Sequence, residues 1–407
     1  MTEPTLHDSR YSWTRLGVSL LIAVVGNVGM WAIVVIMPAV QADFGVDRAG
    51  VSMTYTFTMI GYALGNLLIG RAADRFGMTL CLMGAAATIS GGFVLATMAP
   101  AIWVLSLLQL VIGFGTAASF GPLIADVSHW FLRRRGIAMA IVASGNYLSG
   151  AIWPTILAGV LADQGWRAVY FVLAGIAVIV MVPLSLFLRR AMPEEQSAIA
   201  TERAALNRAT AGFSPRKLTL LLGLAGIGCC VAMSMPQAHI VAYSVDLGFG
   251  SEAGAKMLSL MLLGGVGSRL ASGFLADKLG GVRTLLLGSV LQCAALFLFL
   301  PAGDLTSLYL VSLVFGLAQG GIVPSYAVIV REYMPAKEAG ARVGFVIMAT
   351  IVGMAGGGWI SGWIYDLTGS YFLAFVNGIG WNMLNILIVL AILIRSKPRA
   401  PGSLAPA

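Results

Sequence analysis

Charge is scarce in this chain: of 407 residues, Asp, Glu, Lys and Arg make up 10%, against about 25% in soluble globular domains. Only three histidines occur, His7, His129 and His239. The four cysteines, Cys81, Cys229, Cys230 and Cys293, lie in apolar segments without metal-ligand spacing, so they read as small hydrophobes and say nothing of redox compartment. No Ser/His/Asp arrangement, metal cluster or phosphate loop stands in a plausible context. An enzyme is therefore not expected, nor a cofactor. A short secretory leader is missing too, because Leu16 onward is already a full-length apolar run, expected to be retained.

What is present is hydrophobic. Apolar residues reach 58% and mean hydropathy is +0.89. Windows of about 20 apolar residues, enough to cross a hydrocarbon core about 30 Å thick, recur along the chain. Twelve spans are expected, at 16–40, 50–70, 78–98, 101–125, 136–160, 167–189, 217–244, 254–276, 282–301, 304–330, 340–364 and 371–395. The fold class is all-α integral membrane.

A net charge of +8 could suggest a nucleic-acid partner, but its distribution excludes one. Of 25 Lys and Arg, 21 fall at the termini and in even-numbered loops, including Arg133 to Arg135. Arg48, Arg167 and Lys256 fall in odd-numbered loops, and Arg269 lies within a span. The positive-inside rule then places both termini in the cytoplasm.

The two halves of the chain repeat at a fixed offset of 203 residues. Asp43-Phe44-Gly45 matches Asp246-Leu247-Gly248, and Asp163 matches Asp366. Gly70-Arg71-Ala72-Ala73-Asp74-Arg75-Phe76-Gly77 matches Gly273-Phe274-Leu275-Ala276-Asp277-Lys278-Leu279-Gly280. A duplicated six-helix unit in the same orientation follows. The expected division is 1–189 and 217–407 as six-helix bundles. Residues 190–216 form a cytoplasmic linker, either an amphipathic surface helix or a solvated connector.

Arg269 stands inside the apolar, glycine-rich run 258–276, about eight residues or 12 Å from Asp277. A guanidinium at mid-membrane costs roughly 2.5 to 3.5 kcal/mol, so it is kept where it meets an anion or a cavity. No Asp or Glu is expected at that depth, and the leading reading is that the anion is a substrate. The alternative is a guanidinium that snorkels, or bonds carbonyls exposed near Gly264, Gly265, Gly267 and Gly273. His239 is the titratable group within a span whose ordinary pKa, about 6.5, suits proton transfer. Its alternative is a neutral imidazole bonding a carbonyl freed near Pro236. Counted from Lys217 it lies roughly 33 Å along span 7, so it meets Arg269 only if that helix starts inside the cytoplasm or breaks.

The duplicated loop motif and twelve spans resemble the major facilitator superfamily over nearly the whole chain. A finer resemblance, to the monocarboxylate porter group and its oxalate/formate exchanger relatives, rests on Trp130 to Pro154, Gly165-Trp166-Arg167, Pro236 to Tyr243 and Gly267-Ser268-Arg269. That resemblance implies that Arg269 binds a carboxylate, with His239 contributing to the site and serving as the proton-coupling candidate. Spans 1, 4, 7 and 10 would line the cavity, offering Asn27, Trp31, Thr116, Ser119, Tyr243, Gln319, Ser325 and Tyr326. Spans 2 and 5 would add Tyr55, Tyr62, Asn146 and Tyr147. For each of these, helix packing is the competing role. Asp74, Arg75, Asp277 and Lys278 would act as conformational latches rather than ligands.

The departures matter. Span 1 carries no Lys, Gly265 stands one turn before Arg269 where animal members carry an Asp, and residues 343–364 contain no basic residue. One intramembrane cation favours one carboxylate. The implied function is secondary active transport of a small lactate- or pyruvate-like monocarboxylate by alternating access, proton-coupled. The alternatives are organic-anion exchange, drug/proton efflux, or a non-transporting anion sensor. The expected partners are that substrate, a proton or counter-anion, and the bilayer, for a monomer in a bacterial cytoplasmic membrane.

Overall fold

The computed structural model describes residues 8–131, 134–190, 214–333 and 336–395. Most of the expected linker, 191–213, lies outside the described residues, as do the side chains of Asp74 and Asp277. The helices are α1 Arg10–Gly26, α2 Val28–Phe44, α3 Arg48–Phe76, α4 Met78–Thr97, α5 Ile102–Thr116, α6 Gly121–His129, α7 Arg135–Ile176 and α8 Val182–Leu186. The second half holds α9 Pro215–Asp246, α10 Gly250–Leu279, α11 Gly281–Phe299, α12 Leu305–Gln319, α13 Ile322–Tyr333, α14 Ala336–Thr368 and α15 Phe372–Arg395.

Ten segments among the described residues are long and apolar enough to cross a membrane. One of them, Ile137–Arg189, is two crossings, because Gly165 at φ 79° breaks α7. The more polar 29-residue α3 supplies the twelfth. The structure is thus an all-helical bundle of twelve crossings. Helices overrun the apolar windows at both ends: the first starts at Arg10 rather than residue 16 and the second at Arg48 rather than 50. Caps set several starts. The Asp47 carboxylate accepts from the Gly50 N–H at 2.7 Å, and that of Asp304 from the Ser307 N–H at 2.9 Å. This bond holds the Asp304 carboxyl below the usual carboxylate range.

The repeat is visible in how backbones cross. A Cβ on Gly61 would overlap the carbonyl of Leu110, and one on Gly113 that of Thr58, so α3 and α5 touch main chain to main chain. Gly264 against Leu313 and Gly316 against Met261 repeat this crossing between α10 and α12, each residue 203 further on. Without side chains at these points the helices gain close dispersion contact, a common way to pack in lipid. The fourth crossing is interrupted at 117–120, between α5 and α6, and the tenth at 320–321, between α12 and α13, again at that offset.

The halves meet along three seams: α2 against α9, α3 against α14, and α7 against α10. The described even-numbered loops, the start of α1 and the end of α15 occupy one end of the bundle, the terminal face. The other end is the odd-loop face.

Candidate functional site

Arg269 lies on α10 where it packs against α7, and it is 5% exposed. Its Nη1 donates to the Ala143 carbonyl of α7 at 2.7 Å. Nε donates to the Gly320 carbonyl at 3.2 Å. The second acceptor sits at the break between α12 and α13, where the regular helical ladder is interrupted. The guanidinium carbon lies 3.9 Å from the centre of the Tyr147 ring, which packs on Gly265. Two carbonyls and an aromatic face therefore solvate the cation, drawn from both halves. Among the described residues no carboxylate lies within ion-pair distance of it.

Two other buried arginines differ. Arg15, 4% exposed, bonds Asp126 through Nη2 at 2.9 Å and Nε at 3.2 Å, and lies over Trp130. Arg48, 5% exposed, bonds both oxygens of Asp246 at 2.9 and 3.0 Å and lies over Tyr365. Hydropathy puts Arg15 in the N-terminal segment and Arg48 in a loop; both are drawn inside because their helices start early.

Arg48 also marks the closed seam of the odd-loop face. Asp366, at the end of α14, accepts from the backbone N–H groups of Arg48 and Ala49 at 2.9 and 2.7 Å. A carboxylate of the second half thus caps a helix of the first, the favourable sign at an N-terminus. Below it the Thr56 hydroxyl donates to the Ala355 carbonyl.

His239 is fully buried. Nε2 is 2.7 Å from the Gly358 carbonyl, which can only accept, so Nε2 carries the proton. Nδ1, at 2.9 Å, then accepts from the Tyr371 hydroxyl. The imidazole is satisfied by α14 and the start of α15, in an aromatic layer with Tyr371, Tyr365 and Tyr243. Tyr243 packs on Tyr371 and Phe375. Neither residue is brought into contact with Arg269, and the carbonyl that holds His239 belongs to Gly358 rather than to the turn near Pro236.

The candidates of the first half knit that half together. Asn27, at the joint of α1 and α2, donates to the carbonyls of Ala23 and Ser119 and accepts from Asn146. Trp31 donates to the Asn146 carbonyl, Tyr62 to Asn27 and Thr116 to the Ile112 carbonyl. In the second half Tyr326 donates to Asn385, Ser325 to the Gly321 carbonyl, and Gln319 accepts from Gln237 at 2.6 Å. Three candidates retain buried polar atoms with no partner among the described residues: the Tyr55 and Ser119 hydroxyls and Gln319 Nε2. Of the latch residues, Arg75 lies over the Phe76 ring and Lys278 is exposed. Sequence reasoning missed Ala143 and Gly320, which act through their backbones; the Gly320-Gly321 pair in an apolar span was the available signal.

Residues 19–315 and 251–406 match the model of the Major Facilitator Superfamily. The chain belongs to this superfamily. Its superfamily relatives include monocarboxylate transporter 13 of Rattus norvegicus, 26% identical over 334 residues that cover 81% of this chain and 75% of the relative. The sialic acid transporter NanX of Escherichia coli (strain K12) is 22% identical, covering 87% of each chain. Among solved structures, a bacterial homolog of the human lysosomal transporter Spinster, in an inward-facing and occupied conformation, superposes with a TM-score of 0.66. It is 16% identical and covers 95% of this chain and 96% of its own. As a facilitator-superfamily member this protein is a multi-pass membrane transporter of a small molecule, not an enzyme.

Proposed function

We propose that the transporter carries a small monocarboxylate, of lactate or pyruvate size, by alternating access, with Arg269 as the carboxylate anchor. One observation carries the reading: a buried guanidinium at the seam of both halves, without a carboxylate, beside two arginines of equal burial that each have one. A carboxylate would replace two neutral carbonyls with a bidentate, charge-assisted pair. Because Arg269 belongs to α10 and Ala143 to α7, that replacement also frees a link between halves, which couples binding to movement.

Against 100 mV, an unaccompanied anion costs about 2.3 kcal/mol to bring in, so accumulation needs a second ion. Symport with a proton is the first mode. Exchange against another organic anion is the second, and one observation favours it: both ring nitrogens of His239 are engaged away from Arg269. In symport the proton then travels on the substrate or on water. The positive even-numbered loops support cytoplasmic termini, and the transporter is proposed as a monomer in a bacterial cytoplasmic membrane. The test is uptake of labelled short monocarboxylates into proteoliposomes, with an inward proton gradient or with preloaded unlabelled acid. Gradient-driven uptake establishes symport; uptake that needs only preloaded acid establishes exchange. Failure of every carboxylate to move rejects the reading.

A further inference from the structure

The two seams that close the odd-loop face are pseudo-equivalent and unequally built. At one, Asp366 of α14 caps the start of α3, and Arg48 of α3 pairs with Asp246 at the adjoining end of α9. The equivalent elements, 203 residues away around the repeat, are the start of α10 at Ser251 and Glu252, and Asp163 on α7. Among the described residues no bond joins Asp163 to either, and Glu252 turns instead to Lys256 on its own helix at 2.7 Å. In place of a clamp there is a half-enclosed cleft of about 320 Å³, whose lining includes Val35, Thr155, Ala158, Ala162, Ser251 and Ala255.

Helical register aims this cleft at Arg269. On α7, Thr155, Ala151 and Tyr147 recur every four residues and so share one face. On α10, Ser259, Leu262 and Arg269 share another, and Val35 stands one turn from Trp31 on α2. The floor of the cleft is a single hydroxyl contact, Thr155 to Ser259 at 3.1 Å. Beneath it the Trp31 ring and Leu262 close over Gly150, and beneath them stands the Tyr147–Arg269 stack. From Thr155 to Tyr147 is about 12 Å, and from Ser259 to Arg269 about 15 Å, at 1.5 Å per residue.

We propose that this cleft between α2, α7 and α10 is the vestibule through which substrate passes between the odd-loop side and Arg269, with the Thr155–Ser259 pair as its floor. The inference rests on the carboxylate reading above. Hydroxyl and van der Waals contacts separate more readily than a buried ion pair and a charged helix cap, so this seam parts first. The lining is small and weakly polar apart from Leu161 and Glu252, whose carboxylate is paired with Lys256; small, weakly polar walls suit a passage that must not retain its cargo.

The test places a cysteine at Ala158 in the full-length protein with Cys81→Ser, since the other native cysteines are buried. An impermeant anionic thiol reagent is applied from each side, to intact cells and to inside-out vesicles. Labelling from the odd-loop side alone, loss of most uptake, and slower labelling under saturating substrate are expected. Gly303→Cys, in an exposed odd-numbered loop, labels without loss of uptake. Full labelling of Ala158→Cys with unchanged uptake overturns the vestibule, as does normal uptake by Ala158→Trp, which fills the cleft. Absence of carboxylate uptake by the unsubstituted protein overturns the carboxylate reading and the vestibule with it. Uptake that survives labelling overturns the vestibule alone.

Discussion

Arg15 and Arg48 at the rims of the bundle and Arg269 at its centre are buried to the same degree, 4%, 5% and 5% exposed, yet only the rim pair meets carboxylates. Where this fold buries a guanidinium for structure, it supplies an acid from another helix. At the centre it supplies carbonyls and an aromatic ring instead, which stabilise the cation less than a carboxylate does and leave a ligand something to gain. The rim arginines show what a structural cation requires here, and Arg269 does not have it.

Five substitutions would break or sharpen that contrast. Arg269→Ala should have the largest effect, removing about 2 to 5 kcal/mol of carboxylate affinity, which is roughly 30-fold or more. Arg269→Lys should restore part of it, because a point charge lacks the planar fork; saturation curves of uptake measure both. Arg15→Ala should leave uptake per folded molecule intact while costing about 3 kcal/mol of stability, the low end for breaking a buried pair. Thermal unfolding in detergent reads this. Arg48→Ala should cost less, about 2 kcal/mol after discounting for the 22% exposure of the Asp246 side chain. Unlike Arg15→Ala, it should speed cysteine labelling along the seam of α3 and α14. His239→Leu should have the smallest effect, about 1 to 2 kcal/mol of stability for the unmet Tyr371 hydroxyl and Gly358 carbonyl. The pH profile of uptake should stay unchanged; an altered profile would return His239 to proton coupling.

Much of the architecture was legible because a membrane imposes a length on apolar runs and a duplication imposes an offset. The glycine crossings show the limit of such reading: Gly61 and Gly113, and their counterparts Gly264 and Gly316, stand in plain view. Their pairing with Leu110, Thr58, Leu313 and Met261 emerges only when helices are laid against each other. The burial of Arg269 could be read from its apolar surroundings. Its partners could not, since Ala143 and Gly320 act through carbonyl groups that any residue carries. Arg15 and Arg48 were misplaced by hydropathy, which loses sight of a helix once it turns polar although hydrogen bonding continues. His239 lay beyond reach because its partners, Gly358 and Tyr371, are 119 and 132 residues away.

The most direct test of a substrate-binding cation at the centre is equilibrium binding of radiolabelled pyruvate and lactate to the purified protein, comparing wild type, Arg269→Ala and Arg15→Ala. Saturable binding by wild type and Arg15→Ala, with at least roughly 30-fold weaker binding by Arg269→Ala, is the predicted result. Equal affinity in folded wild type and Arg269→Ala would contradict it and make Arg269 a structural residue solvated by carbonyls.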